Sequence, residues 1–352
     1  MAPEFLFKKD KNSINRKIDN ITSTNYISMD EIDFGICMML VQNSRIPYHD
    51  LAELFKMSVN SIHKRIKSMV DLRIIQNFNT KLSFLIFSNP VHIIMFGNSQ
   101  IENKAGLLQE LGKHESIFNV TQASDHLFYI HALLRNHNEL DPLVSFIREK
   151  GGINDLEVGL VSLAPSPNGP FPSDTTQISK TDNSEERGNL KLPKLDFLIV
   201  NALKDNSRKP ISDIADEVGA STKTVRRHLD KMIKEYLVEF SIDWYPDKSA
   251  VIISIVILKV KTSIKVDKSQ LLEEIRKKHS QSVLFSWNLS NLPNLMLVCV
   301  WASSMKELQN LEASLMSMNF ESVNVTVLVN GLMFPSWRDT YLEEKVREIK
   351  ED

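Results

Sequence analysis

The chain has few cysteines, no long apolar run and no excess of either charge. Cys37 and Cys299 are its two thiols among 352 residues, and they lie far apart in sequence. This usage argues against a disulfide framework and a cysteine-rich metal site, and it indicates a reducing compartment. A membrane-spanning helix needs about eighteen consecutive apolar residues, and no such run exists. The longest apolar segments, such as VIISIVILKV, have the length and β-branched content of strands.

The charge balance limits how the chain could bind nucleic acid. Lysine and arginine total 42 against 44 acidic residues, which gives a net charge of −2. A protein that coats nucleic acid by charge alone is therefore excluded, and any DNA affinity must come from locally clustered cations. The apolar stretch in MAPEFLFKKDKN is too short for a signal peptide, which predicts a cytoplasmic protein. The spacing of the histidines fits no zinc pattern, so we expect no metal and no cofactor.

An internal duplication organises the chain. A shift of 163 positions, the difference between Asp33 and Asp196, also superimposes Asn43 on Asn206 and Ser58 on Ser221 without a gap. Agreement across so many positions indicates a repeated unit. The length then predicts four domains, two in each copy.

The second copy shows the repeated unit most clearly. Leu195 to Phe240 is interpreted as three short helices joined by tight turns and closed by a strand, which is a helix-turn-helix domain. Pro210 suits the start of the second helix and Gly219 the corner after it. Ser221 occupies an N-cap position, so the third helix is predicted to begin at Thr222.

The third helix of each copy has an apolar stripe and a cationic side. The predicted buried stripes are Ile62, Ile66, Met69 and Val70 in the first copy and Val225, Leu229, Met232 and Ile233 in the second. The opposite side suits a major groove, where cations donate to guanine edges and phosphates. The alternative is an ordinary solvated helix face. The predicted DNA-binding residues are Asn60, Ser61, His63, Lys64, Lys67, Lys223, Thr224, Arg226, Arg227 and Lys231.

Each helical domain is followed by alternating strands and helices in the order βαββαβ. Two interleaved βαβ units predict an antiparallel four-stranded sheet with both helices on one face, a ferredoxin-like domain. Because the strands are apolar on both sides, we expect the open face to pack on a second sheet. The fold class is therefore α+β, a tandem repeat of a three-helix winged helix-turn-helix domain and a βαββαβ domain.

These patterns divide the chain into seven segments. Residues 29–80 and 190–248 form the helix-turn-helix domains, and residues 81–164 and 249–333 form the sheet domains. The remaining segments are an N-terminal arm over 1–28, a polar linker over 165–189 and a C-terminal helix over 334–352. The linker permits pairing of the two modules within one chain or between chains. The C-terminal helix is expected to dock on the second sheet domain, with an oligomer contact as the alternative.

Both copies resemble the Lrp/AsnC transcription regulators. The resemblance rests on DNSRKPISDIADEVGASTKTVRRHLDKM and NSRIPYHDLAELFKMSVNSIHKRIKSM, each followed by a βαββαβ pattern, and it covers most of the chain. It implies double-stranded DNA as partner and sheet domains that pair face to face, hence a homo-oligomer or an intrachain pseudo-dimer. It also implies a small effector, often an amino acid, near the turn between the second and third strands.

The effector turn departs from the family pattern. The family commonly carries a glycine and an aspartate there. The first copy has Ser124 and Asp125 at this turn, so it keeps the aspartate only, and the second copy has neither a glycine nor an aspartate. Ser124 and Asp125 are therefore the candidate effector residues, with a plain turn as the alternative.

Two other functions compete with a sequence-specific regulator. The sirohaem decarboxylases resemble the same double layout, but the segments after the helical domains lack the arginine-rich stretch that they typically carry. An architectural DNA-binding protein without operator specificity is the second alternative, and strongly salt-dependent affinity would favour it. The sequence favours a regulator that is not an enzyme.

Overall fold

The computed structural model describes residues 29–83, 86–87, 90–161, 192–245, 249, 251–261, 268–279 and 282–351. The N-terminal arm over 1–28 and the linker over 165–189, both predicted above, lie outside the described residues. We call residues 29–161 the first module and residues 192–333 the second module.

The first helix-turn-helix domain is formed by helices α1 to α3, which span Glu31–Gln42, Tyr48–Leu54 and Val59–Asp71. Asp30 caps α1 in a reciprocal capping box with Asp33. Ser58 accepts a hydrogen bond from the backbone of Ser61 and so begins α3. These caps satisfy amides that have no partner inside a helix.

The second helix-turn-helix domain repeats this layout with helices α6 to α8, which span Lys194–Leu203, Ile211–Val218 and Thr222–Lys234. Pro210 precedes α7, and Gly219 ends it with φ of 68°, a conformation that glycine adopts without strain. Ser221 caps α8, which begins at Thr222 as predicted. One prediction was wrong: Ile233 is 44% exposed instead of buried, because the helix presents it away from the domain core.

Each sheet domain has the predicted βαββαβ order. In the first module β2, α4, β3, β4, α5 and β5 span Val91–Asn98, Lys104–Leu111, Ile117–Ala123, Leu127–Leu134, Leu140–Gly151 and Glu157–Leu160. In the second module β7, α9, β8, β9, α10 and β10 span Ile252–Val260, Lys268–His279, Val283–Asn288, Leu295–Ala302, Met305–Met316 and Phe320–Met333.

The two sheet domains pair within one chain. Strand β10 extends past its own sheet and pairs with β3, so the eight strands form one sheet in the order β5-β2-β4-β3-β10-β7-β9-β8. An isolated bridge joins Val161 and Leu289, the residues that directly follow the two outer strands β5 and β8. The open faces also meet, since Tyr129 and Ile255 share one apolar cluster. The open faces of the two sheets therefore pack together as predicted, and hydrogen bonds between β10 and β3 also join the sheets edge to edge.

A ribbon of two antiparallel strands joins the helix-turn-helix domains. Strands β1, Ile75–Leu82, and β6, Val238–Trp244, pair with Phe78 opposite Ile242 and Asn79 opposite Ser241. A shift of 163 positions exchanges these two pairs, so a pseudo-two-fold axis passes between them. The equivalent Ser44 and Ser207 lie on the same axis, with their hydroxyl oxygens 2.6 Å apart.

The two helix-turn-helix domains are docked unequally. The first packs on the open face of the second module's sheet, where Phe34 stacks on Trp301 at 4.2 Å between ring centroids. The second packs instead against Leu82 of β1 and against helix α11, Trp337–Glu351. The expectation that the C-terminal helix docks on the second sheet domain was therefore wrong, because Leu342 completes the core of the second helix-turn-helix domain.

Both cysteines are buried and unpaired, as expected for core residues. Among the helices that the structure describes, none combines the length and apolar character needed to cross a bilayer.

Candidate nucleic-acid interface

Helices α3 and α8 are amphipathic, with the apolar stripe on the buried side as the sequence predicts. Ile62, Ile66 and Met69 of α3 are at most 3% exposed and anchor the helix on its domain. Val225, Leu229 and Met232 do the same for α8. The opposite side of each helix therefore faces solvent.

The structure places most of the predicted DNA-binding side chains on these solvent faces. Ser61 and Thr224 are only partly exposed, and their hydroxyls hydrogen-bond those of the N-cap residues Ser58 and Ser221 at 2.8 and 2.9 Å. These hydroxyls take part in helix capping, so they are less available to hydrogen-bond a DNA base. The exposed members are Asn60, His63, Lys64, Lys67, Lys223, Arg226, Arg227 and Lys231.

The exposed cations are not neutralised by the protein. Within the residues that the structure describes, Lys64, Lys67, Lys223, Arg226, Arg227 and Lys231 form no ion pair. An unpaired cation on a helix can donate to phosphate oxygens without first breaking an internal contact. Each helix therefore presents a locally positive surface on a chain whose overall charge is slightly negative.

One further residue of each helix has a structural role that sequence reasoning missed. The Arg65 guanidinium lies 2.7 Å from a carboxylate oxygen of Asp33. The equivalent His228 lies 2.6 Å from Asp196. Burial lowers the pKa of Arg65, but the hydrogen bonds and charges of Asp33 and Asp30 outweigh it and raise the pKa.

These pairs tie each third helix to the first helix of its domain. Shifting the sequence by 163 positions superimposes both members of the pair at once, and that coincidence was the available signal. Arg65 and His228 therefore hold the recognition helices in place and are not free for DNA.

The candidate effector residues occupy the turn between β3 and β4. Ser124 has φ of 51°, a left-handed conformation that glycine adopts more easily. Asp125 is 94% exposed and lies 3.8 Å from His126. An effector at Ser124 and Asp125 stays a prediction. Among the described residues, no three His, Cys, Asp or Glu side chains are grouped so that they could hold a metal ion.

A cavity of about 610 Å³ lies between the sheets of the two modules, strand β6 and the end of α8. We call it the central cavity. Its walls include His92, His131 and Arg338, and the candidate effector residues are not among them. Sequence reasoning did not find it, because its lining comes from both modules and from α11.

The amino-acid sequence matches two helix-turn-helix family models. Residues 29–70 match the AsnC-type helix-turn-helix domain, and residues 192–238 match a winged helix-turn-helix DNA-binding model. An uncharacterized HTH-type transcriptional regulator of Pyrococcus furiosus is 33% identical over 58 residues, which span 16% of this chain and 39% of that protein. Another such regulator, of Pyrococcus abyssi, is 24% identical over 136 residues, or 38% of this chain and 91% of that protein.

The double-module fold also occurs in a solved structure. The siroheme decarboxylase NirDL superimposes with a TM-score of 0.53 over 90% of this chain and 99% of its own, at 10% sequence identity. Such a low identity supports a shared fold and nothing further. The matched domains and the two regulator relatives confirm the resemblance to the Lrp/AsnC transcription regulators, which is carried by residues 29–70 as an AsnC-type domain.

Proposed function

We propose that this chain is a sequence-specific DNA-binding regulator that carries its own pair of recognition helices. The observation that carries the proposal is the set of unpaired cations on the exposed sides of α3 and α8. The β1 and β6 ribbon holds the two domains about a pseudo-two-fold axis, the symmetry with which paired helix-turn-helix domains bind two half-sites. One chain therefore supplies both halves of a DNA-binding unit.

The two halves differ in what they present to DNA. Positions 60, 63 and 64 carry Asn, His and Lys in α3, whereas their equivalents carry Lys, Arg and Arg in α8. Arginine can donate two hydrogen bonds to a guanine edge, which lysine cannot do with the same fixed geometry. The domains consequently favour different half-sites, with the larger share of binding energy at α8.

Removing the cations of α8 tests this proposal. We expect Lys223→Ala with Arg227→Ala to weaken binding to a selected DNA fragment by about tenfold or more at fixed salt, because two phosphate or base contacts are lost. Fluorescence anisotropy of labelled DNA measures the dissociation constant.

A matched control removes the same charge elsewhere. Arg148→Ala with Lys306→Ala deletes one arginine and one lysine that are exposed on sheet-domain helices. This variant should bind DNA within about twofold of the parent chain. Equal affinities for both double variants would contradict the assignment of α8.

The charge of the central cavity supports a function other than catalysis on a polycarboxylate. A decarboxylase of the NirDL type must hold the several carboxylates of a sirohaem, which calls for several cations. Among the described lining residues the one such cation is Arg338, and Glu239 lies 3.0 Å from it. We therefore propose that the chain is not an enzyme. Sirohaem mixed with the purified protein should keep its absorption spectrum, and conversion to a decarboxylated product would refute this.

A further inference from the structure

The central cavity exists because the two modules use equivalent sheet positions differently. Ile253 pairs with Trp301 in the second module, as His92 pairs with Leu133 in the first. The first helix-turn-helix domain packs on Trp301 and keeps it out of the central cavity, while Ile253 lines that cavity as well. The second domain is held by α11 and β1 instead, so His92 and Leu133 face the central cavity.

Polar groups buried in the walls have no partner inside the protein. His92 is 6% exposed, and neither of its ring nitrogens forms a hydrogen bond within the described residues. The Trp244 indole nitrogen and Arg338 Nε are likewise buried without a partner there. Buried donors and acceptors are normally satisfied, so several unsatisfied groups around one cavity indicate atoms supplied by a bound molecule.

The site carries almost no net charge. Burial, with smaller contributions from His131 and Arg338, lowers the pKa of His92 to about 3. Burial also lowers the pKa of His131 to about 4, so both rings are neutral at physiological pH. The Arg338 guanidinium is paired with the Glu239 carboxylate at 3.0 Å. An uncharged molecule is therefore accommodated at a lower desolvation cost than an ion.

Aromatic rings form much of the remaining wall. His131 lies 5.4 Å from Trp287, and Phe285 lies 6.0 Å from Trp287 between ring centroids. Trp244 approaches Phe285 at 6.4 Å. Such walls favour flat aromatic ligands, which stack or meet these rings edge to face.

We propose that the central cavity is a binding site for an uncharged aromatic small molecule bearing a carbonyl or hydroxyl oxygen, which accepts a hydrogen bond from the Trp244 indole. This site is separate from the turn at Ser124 and Asp125. Its volume of about 610 Å³ lies in the range of small-molecule pockets. Ile233 lies in the last turn of α8, and Tyr236 follows the end of that helix. Both line the central cavity, so a ligand would contact the second helix-turn-helix domain directly.

The test uses Prodan, an uncharged naphthalene ketone whose emission shifts to the blue in apolar surroundings, with the full chain and no DNA. We expect saturable binding of one Prodan per chain. Asn330 lines the cavity and is partly exposed, so Asn330→Trp should fill it and weaken binding by about tenfold or more. The matched variant Asn330→Ala should bind within about twofold, since it leaves the cavity open.

A second comparison tests the polar contact. Trp244→Phe removes the indole donor and should weaken Prodan binding by about threefold or more. The same variant should bind dimethylaminonaphthalene, which lacks the carbonyl, with the affinity of the parent chain. Circular dichroism confirms that each variant is folded. Binding that does not saturate, or that is equal in the Asn330→Trp and Asn330→Ala variants, would overturn the proposal. Because no DNA is present, this outcome is independent of whether α8 binds DNA.

Discussion

At the scale of single residues, equivalent positions in the two modules carry the same task with different chemistry. Arg65 contacts Asp33 through a guanidinium, whereas His228 makes the equivalent contact with Asp196 through an imidazole. Asp196 is 2% exposed, and the His228 ring lies within hydrogen-bonding distance of its carboxylate. A buried carboxylate without such a partner destabilises its domain strongly. Both pairs thus fix how the recognition helix sits on its domain.

The buried histidines give the fold a pH dependence. The pKa of His92 falls from an ordinary value near 6.5 to about 3 on folding, because burial disfavours the charged ring. Between these values the unfolded chain binds more protons than the folded one, so the free energy of unfolding decreases as pH falls. The slope should be about 1.4 kcal/mol per pH unit for this residue.

We expect His92→Leu to remove that part of the slope between about pH 6 and pH 4, as measured by urea unfolding. His137→Leu, at an exposed position, serves as the control and should leave the slope as it is in the parent chain. An identical pH slope in His92→Leu and the parent chain would show that the ring is not buried in solution.

At the scale of elements, α11 decides how the second helix-turn-helix domain is held. Leu342 and Val346 enter the apolar core of that domain, and the Trp337 indole donates to the Leu133 carbonyl at 2.7 Å. Arg338 donates to the Leu82 carbonyl at 3.0 Å. The helix therefore connects the second helix-turn-helix domain to the first module's sheet and to β1. Among the described residues, such a helix follows the sheet domain of the second module only.

Truncation of a core side chain in α11 tests this role. Leu342 is 3% exposed, so Leu342→Ala should lower the free energy of unfolding by about 2–5 kcal/mol through lost burial and a cavity. Arg347→Ala, on the exposed side of the same helix, should change it by less than about 0.5 kcal/mol. Comparable losses in both variants would mean that the helix contributes through its backbone and not through this core.

At the scale of the whole molecule, the two modules of one chain are arranged like the subunits of a dimer, but their sequences need not be identical. The continuous sheet and the β1 and β6 ribbon keep the two-fold relation, while the docking of the helix-turn-helix domains departs from it. A duplicated chain can change either recognition helix alone, which a homodimer cannot. The operator is therefore expected to consist of two unlike half-sites.

Making the recognition helices alike should restore a symmetric operator. The required changes give α3 the α8 residues at the predicted DNA-binding positions of both helices: Asn60→Lys, Ser61→Thr, His63→Arg, Lys64→Arg, Lys67→Asp and Ser68→Lys. We expect fragments selected by the parent chain to be asymmetric and those selected by this variant to approach an inverted repeat, since the domains are related by a pseudo-two-fold axis. Sequencing of the selected fragments measures both. A perfect inverted repeat selected by the parent chain would be inconsistent with the proposed asymmetry.

Much of the local structure was predictable because it depends on residues close in sequence. Ser221 and Gly219 mark the start and end of helices through hydrogen bonds and backbone geometry within a few residues. The order of strands and helices followed from apolar periodicity, and the duplication indicated two equivalent domains. Ile233 was predicted to be buried, because an apolar residue beside a helical stripe cannot be distinguished from a member of it by spacing alone.

The sequence by itself determined the two modules, their helix caps and the cationic sides of α3 and α8. Only the tertiary structure decided that β10 joins β3, that Phe34 stacks on Trp301, and that α11 holds the second helix-turn-helix domain. These contacts join residues about one hundred or more positions apart, and no local pattern encodes which of several apolar surfaces will meet. The central cavity follows from these contacts, since its lining comes from both modules and from α11.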